Sequence, residues 1–343
     1  MPFLENVTRG RGIPPERLAG VAEHYYAFGG VSPINQQCRD MLAAVRADFS
    51  AGGLSLPVYW GNRNWAPYLA DTVRAMADDG VRRAIAFVTS AYSSYSSCRQ
   101  YLDDIERARV AVGSQAPLID KIRRFYNHSG FIEPFAANAH AALATLPAGL
   151  REDAHLVFTA HSIPVGMADS SGPPGGGRRY VAELTEAAGL IAERTDGGSH
   201  PWTLAYQSRS GPPSQPWLEP DVRDHLAELA KAGTTAVVVI PVGFVSDHME
   251  VRHDLDVEAA QTAESLGLAF ARAATPGTHP RFASMIIELV RERSALPDSP
   301  GVPGQTCPAD CCRYSLTPAN RAGKPGGSEV AEGSEGSEGS ASA

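Results

Sequence analysis

Two residues able to do metal and proton chemistry, His161 and Glu250, stand just beyond the ends of apolar runs. His161 closes Ala154-His-Leu-Val-Phe-Thr-Ala-His161, and Glu250 lies shortly after Ala236-Val-Val-Val-Ile240. Runs of this kind read as buried parallel strands, and ligands of open α/β sheets gather at the carboxyl ends of such strands. The stretch from Gly243 to Glu258 then has helical composition. Helical spacing places Glu250, Asp254 and Glu258 at i, i+4 and i+8 on one face, with Asp247 and His248 at its mouth. A row of like charges costs stability unless a cation or basic partner offsets it. Imidazole and carboxylate together suit binding a first-row divalent ion and accepting protons. The plain alternative for any one carboxylate is a solvated helix start favoured by the helix dipole, and for His161 a histidine satisfied by backbone bonds.

Three further stretches carry chemistry-bearing side chains. Thr8-Arg9-Gly10-Arg11-Gly12 is a basic glycine-rich loop whose guanidinium forks suit a carboxylate-bearing ligand, unless it is an ordinary surface loop. Residues 90–101 are rich in Ser and Tyr, fit either to line a pocket for a large flat ligand or to cap the next helix. Cys307-Pro-Ala-Asp-Cys311-Cys312 holds three of the chain's five cysteines. The odd total reads as reduced thiols or metal ligands rather than a secreted disulfide framework.

Composition narrows the function classes. The 343 residues, 43% of them hydrophobic, suffice for a sizeable core in two domains or one two-lobed domain. A net charge of −8 supplies no basic stripe for a nucleic-acid partner. No apolar run is long enough for a transmembrane segment, and the first residues lack the pattern of a signal peptide, so a cytoplasmic location is expected.

The elements that must hold these residues alternate between helix and strand. Helices are expected from Pro15 to about Phe28, Ser32 to Phe49, Pro67 to Asp79, Pro134 to Leu146, Tyr180 to Arg194 and Arg281 to Arg293. Strands are expected at 56–60, 84–89, 154–161, 202–206, 236–240 and 268–272. An internal repeat is legible: Val58-Tyr-Trp-Gly-Asn-Arg63, the helix led by Pro67, Gly80 and the strand at 84–89 are echoed in order. The echoes are Leu204-Ala-Tyr-Gln-Ser-Arg209, the helix led by Pro216, Gly233 and the strand at 236–240. The fold class is therefore α/β, with two similar Rossmann-like lobes of parallel sheet and a ligand cleft between them. The expected divisions are 1–147, 148–278, a helix at 279–296, a cysteine-containing extension at 297–325 and a disordered tail at 326–343.

These stretches together resemble the ferrochelatases, and most closely the actinobacterial coproporphyrin ferrochelatases. The resemblance rests on Thr8-Arg-Gly-Arg, Gly29-Gly-Val-Ser-Pro33, Phe158-Thr-Ala-His-Ser-Ile-Pro164, Tyr206-Gln-Ser-Arg209, Pro216-Trp-Leu-Glu-Pro-Asp221 and Pro241-Val-Gly-Phe-Val-Ser-Asp-His-Met-Glu250. It implies insertion of ferrous iron into coproporphyrin III held between the lobes, in haem biosynthesis. It implies His161 and Glu250 as catalytic metal ligands, with Asp254 and Glu258 continuing the acidic ridge. Ser32, Tyr25 and Tyr126 would face the porphyrin or its propionates, with Arg9 and Arg11 beside them. It further implies a cytoplasmic enzyme that hands its product to a coprohaem decarboxylase.

Two departures qualify the resemblance. Relatives usually begin with an apolar strand and a Gly-Pro turn ahead of the Phe-Leu-Glu-Asn segment, whereas here Met1-Pro-Phe-Leu-Glu-Asn6 comes first, and a misplaced start is the favoured reading. Otherwise the first lobe carries an exposed sheet edge. Actinobacterial relatives often carry a [2Fe–2S] cluster on three C-terminal cysteines and one internal cysteine. Cys307, Cys311 and Cys312 match the first three, and the fourth ligand is open between Cys98 and Cys38, with zinc or no metal as alternatives. Two other functions stand beside the leading one: insertion into protoporphyrin IX, and a non-catalytic porphyrin or haem carrier. A carrier has no use for mutually repelling carboxylates beside its pocket.

Overall fold

The computed structural model describes residues 2–7, 15–295, 307–308 and 310–314. The chain divides into two units, Met1–Arg313 and Tyr314–Ala343, and all elements belong to the first. The first half contains α1 (Pro2–Val7), α2 (Pro15–Ala27), α3 (Ile34–Ala51), α4 (Leu69–Asp78), β1 (Arg83–Ala86), α5 (Gln100–Val112), β2 (Leu118–Lys121) and α6 (Ser129–Thr145). In the second half come β3 (His155–His161), α7 (Val165–Asp169), α8 (Arg179–Arg194), β4 (Trp202–Gln207), α9 (Val222–Lys231) and β5 (Ala236–Ile240). The short α10 (Met249–Val251), a π-helical stretch Arg252–Ala259, α11 (Ala260–Ser265), β6 (Ala269–Arg272) and α12 (Pro280–Ser294) complete it.

Both sheets are parallel: β1 pairs with β2, and the second sheet runs β4-β3-β5-β6. Every residue of β5 has no solvent exposure, as a β-branched run between two neighbouring strands requires. Val237 and Val239 of β5 and Val157 of β3 pack with Val222, Leu226 and Leu229 of α9 and with Val251 and Leu255. Burial of each such side chain contributes about 1.5–3 kcal/mol. The helix carrying the acidic residues is thus anchored by its apolar face to the strands that end beneath it.

The repeat is real, but its register differs from the one read in sequence. From α4 to β1 and from α9 to β5 the offset is a constant 153 residues, 222 against 69 and 236 against 83. Both helices end on a left-handed glycine, Gly80 and Gly233, whose N–H bonds back to Ala77 and Ala230 at 3.0 Å in each case. Ahead of the helices, the Asn62 N–H donates to the Pro67 carbonyl and the Tyr206 N–H to the Pro220 carbonyl. Asn62 therefore corresponds to Tyr206, and Pro67 to Pro220 rather than Pro216. The loop before the second helix is longer, which hid this match from a comparison of residue strings.

Three other expectations are corrected. Residues 56–60 form no β-ladder, because the carbonyls of Val58 and Trp60 are taken by the Arg46 guanidinium at 2.7 Å and the Thr72 hydroxyl at 2.9 Å. α6 begins at Ser129 rather than at Pro134, which lies inside it and gives up one bond to the Gly130 carbonyl. The acidic helix is π-helical over Arg252–Ala259 rather than α-helical. The Arg9 and Arg11 loop, and most of the residues beyond 295, lie outside the described residues.

Candidate active site

His161 is the last residue of β3, in register with Gln207 of β4. Its Nδ1 donates to the Ser162 carbonyl at 2.5 Å, which fixes the tautomer and leaves the Nε2 lone pair free. The Tyr180 hydroxyl, buried on α8, donates to the His161 carbonyl at 2.8 Å and holds the backbone from behind. Nε2 faces the Glu250 carboxylate at 3.7 Å. First-row metal–ligand bonds are about 2.1 Å, so a separation of 3.7 Å suits one ion shared by the two atoms. The Glu250 side chain is 59% exposed, an accessible carboxylate rather than a structural one.

A close approach of backbones places Glu250 there. Gly243 follows β5 and crosses over Ala160 of β3, where a Cβ would lie 2.7 Å from the Ala160 Cα and Cβ. Only glycine permits this crossing, which brings the 243–250 loop over the end of β3. The Gly243 N–H donates to the Thr159 carbonyl at 3.0 Å and ties the crossing down. His248 then caps α10, its Nδ1 accepting from the Val251 N–H at 3.4 Å, with the Phe244 ring against it edge-on at 4.9 Å. Burial, and then the nearby His161, lower the His248 pKa although Glu250 opposes this, which fits its acceptor role.

Beyond Glu250 the acidic residues part company. Ser208 donates to Asp254, and burial pushes the Asp254 carboxyl up, with the Glu250 charge adding to the effect. His253, Asp254 and Glu258 offer ligand atoms all within 4.8 Å of one another, a second group able to hold a cation. Glu258 also meets the Arg223 guanidinium at 3.4 Å. A cavity of 860 Å³ lies alongside, bounded by Gln207, Ser208, Arg223, His253, Asp254 and Glu258 among others. Asp247 belongs to the scaffold instead: Arg272 grips its carboxylate at 2.9 and 3.1 Å, and its N–H donates to Gln37 of α3 at 2.7 Å.

The porphyrin-facing candidates are dispersed. Tyr25 on α2 is half-buried, and burial followed by the Glu250 charge raises its pKa, which puts it within reach of that carboxylate's field. The Ser32 Oγ accepts from the Ile34 N–H at 3.4 Å at the start of α3. Tyr126 stacks against Tyr92 and donates to Glu186 of α8 at 3.1 Å; burial and the charges of Glu183 and Glu186 push it up to about 12. Tyr180, Ser208, His253 and Gln37 were missed in sequence. Only Ser208 and His253 had a signal there, one in the Tyr206-Gln-Ser-Arg209 motif and the other next to Asp254.

The cysteines gather at a second place. Cys98, in the π-helical turn Tyr95–Arg99, hydrogen-bonds Cys307, which in turn bonds Cys311. The Cys311 and Cys312 sulfurs are 3.6 Å apart. Neighbouring side chains usually diverge, and the positive φ of 54° at Cys312, worth roughly 1–2 kcal/mol of strain, turns both thiols to one side. The Gly172 N–H donates to the Cys312 sulfur at 3.1 Å and Arg124 to the Cys307 sulfur at 3.3 Å. That bond network with Cys98, together with Arg124, draws the Cys307 thiol down to about 5. Cys38, on α3, is raised by burial alone and stands outside the group.

Comparison with known proteins supplies the family. The ferrochelatase family model matches residues 1–294. The coproporphyrin III ferrochelatase of Streptomyces coelicolor is 54% identical over 332 residues, covering 91% of this chain and 88% of that one. The corresponding protein of Nocardia farcinica is 53% identical over 330 residues, covering 93% of each chain. In fold the chain is similar to SirB from Bacillus subtilis, solved with Fe3+, at a TM-score of 0.50 and 15% identity over 75% of this chain and 89% of that one. Both the sequence match and the strand-end histidine and carboxylate lead to one conclusion: this chain is a member of the ferrochelatase family.

Proposed function

We propose that the chain inserts ferrous iron into coproporphyrin III to give Fe-coproporphyrin III. The observation that carries this is the His161–Glu250 pair, an imidazole lone pair and an exposed carboxylate 3.7 Å apart above the ends of parallel strands. The relatives named coproporphyrin III ferrochelatase support the choice of porphyrin. Insertion removes two pyrrole protons and strips water from the ion. Glu250, accessible and beside His161 Nε2, would accept the two pyrrole protons in turn, passing the first to water, while His161 Nε2 would hold the entering ion. Asp254, Glu258 and His253 offer a cation a second position next to the 860 Å³ cavity. Tyr25, Ser32 and Tyr126, with Arg9 and Arg11, are our candidates for the porphyrin and its propionates.

Two finer readings belong here. Four thiols from two distant parts of the chain converge, with N–H donors already aimed at two sulfurs, and an all-thiolate set of four is what a [2Fe–2S] cluster requires. We assign Cys98, Cys307, Cys311 and Cys312 as its ligands; when bound it supplies a one-electron redox centre. No helix among the described residues is long and apolar enough to cross a membrane. We place the enzyme in the cytoplasm, handing its four-propionate product to a coprohaem decarboxylase.

The test is an anaerobic absorbance assay with ferrous iron and either coproporphyrin III or protoporphyrin IX. Iron-dependent loss of the free-porphyrin bands, faster with coproporphyrin III, is the expected result. Faster insertion into protoporphyrin IX would reverse the substrate assignment, and porphyrin binding without insertion into either would leave a carrier.

A further inference from the structure

Arg124 follows β2, and its side chain is only 18% exposed. Its Nη1 donates to the Cys307 sulfur at 3.3 Å, while its Nε lies 3.0 Å from Oε1 of Glu183 on α8. Glu183 is itself held fast: the Ser93 N–H donates to it at 2.7 Å and the Ser93 hydroxyl at 2.8 Å, all within the protein interior. Ser93 lies just before the π-helical turn that carries Cys98. One buried ion pair therefore fastens both distant ends of the thiol set, Cys98 through Ser93 and Cys307 through Arg124. A cavity of 440 Å³ opens onto Cys307 and Cys311 beside Arg124, which gives small reagents access to the sulfurs.

We propose that Arg124, oriented by Glu183, positions Cys307 for the cluster and sets the reduction potential of that cluster. This rests on the cluster assignment made above. Reduction adds one electron to the iron–sulfur core, and that negative charge spreads onto the thiolate sulfurs. A fixed guanidinium that donates to one of those sulfurs favours the reduced form, because charge-assisted hydrogen bonds and net charge are what tune such potentials. Glu183 acts in the opposite sense. It orients the fork, but its charge, if left uncompensated, favours the oxidised form. Lys121 also lies near Cys98 and Cys307 and contributes charge without a bond to sulfur.

The experiment uses the full chain, reconstituted anaerobically with iron and sulfide. Iron and acid-labile sulfide per chain are measured first, and the midpoint potential is then found by dithionite titration of the visible absorbance. In Arg124→Met the potential moves to more negative values and loading falls. Arg124→Lys retains the charge without the fork and shifts less. Glu183→Gln moves the potential the other way, and Lys121→Met shifts it less than Arg124→Met. Circular dichroism of each variant separates misfolding from a local effect. A parent-like potential and loading in Arg124→Met overturns the proposal, as do shifts of the same sign in Arg124→Met and Glu183→Gln. A parent chain that takes up no sulfide, or binds zinc instead, overturns the cluster assignment itself. That outcome is seen before any variant is compared.

Discussion

In the first half of the molecule α4, β1 and the π-helical turn Tyr95–Arg99 follow one another, and in the second half α9, β5, α10 and the π-helical stretch Arg252–Ala259 do the same. Each segment opens with a side-chain cap, Ser94 on the first π-helical turn accepting from the Ser97 N–H and His248 on α10 accepting from the Val251 N–H. The cargo differs. The first turn brings Cys98 to the thiol group, with Ser93 just before it bonded to Glu183, whereas α10 ahead of the second stretch brings Glu250 to His161. The support differs too: β5 lies between β3 and β6 with no exposure, while β1, among the described residues, pairs with β2 alone and is partly exposed. A shared backbone unit thus supplies a strand-end platform twice, and the side chains at equivalent places decide what each platform binds. The residues we propose for metal insertion sit on the better-buried copy, where side-chain positions are most firmly held.

That contrast can be broken experimentally, beginning with the largest expected effect. His161→Ala removes the proposed metal ligand and should lower kcat by at least about 10²-fold, the scale of a lost positioned catalytic group, whereas Ser94→Ala in the first copy should leave kcat within about twofold. Steady-state insertion rates decide. If both changes cost alike, the division of labour between the copies is wrong.

At the offset of 153 that relates β1 to β5, the position of Gly243 falls on Ser90, a residue that already carries a Cβ. Gly243→Ala drives a methyl to within 2.7 Å of Ala160 and should cost about 1–3 kcal/mol of stability, with insertion slowed as Glu250 is displaced. Ser90→Ala should do neither. Denaturant unfolding with parallel rates checks both, and an unaffected Gly243→Ala would show that the crossing has slack.

The helix caps form a smaller contrast. Asp221 caps α9 by accepting from the Arg223 N–H at 2.9 Å, while Tyr68 at the same place on α4 makes no side-chain bond. Asp221→Ala should destabilise by about 1 kcal/mol and Tyr68→Asp should stabilise by up to about 1 kcal/mol. Equal and opposite shifts in unfolding midpoint would sharpen the equivalence of the two helices; a destabilising Tyr68→Asp would blur it.

The smallest effect is an acid sensitivity at the amino end of the second sheet. His155 and His225 share the Thr203 hydroxyl at 3.0 and 2.6 Å, and burial lowers both pKa values, helped at His155 by the charge of His225 and opposed at His225 by Glu228. The unfolded chain then takes up protons before the folded one does. Stability is complete above the unfolded histidine value of about 6.5 and is lost as pH falls towards the lowered folded values. The amino end of the first sheet carries the Arg83–Asp120 ion pair instead. His225→Gln should flatten the fall in Tm between pH 7 and 5.5, and identical curves for parent and variant would remove the pair from the account.

Sequence made the second copy far more legible than the first. The β-branched run of β5 needs burial on both faces wherever it is placed, so its strand, and the placement of Glu250 just past its end, could be read without neighbours. The short stretch at 56–60 carries no such constraint, and its carbonyls went to Arg46 and Thr72 instead of a ladder. The choice of π- over α-geometry at Arg252–Ala259 is made by packing on the sheet and leaves no period in the side chains to detect. His161 and Glu250 followed from where strands end. The partnership of Cys98 with Cys307 and the Arg124–Glu183 pair beside it join segments far apart in the chain, and only the fold brings them into contact.

The most direct test of the central claim is Glu250→Gln, measured for porphyrin affinity by fluorescence quenching and for insertion by anaerobic absorbance on the same preparation. The account requires insertion to fall by at least about 10²-fold while the porphyrin Kd stays within about threefold of the parent, because Gln keeps the shape and removes the proton-accepting charge. Retained insertion, or equal loss of binding and insertion, would contradict the assignment of Glu250 to the metal and its protons.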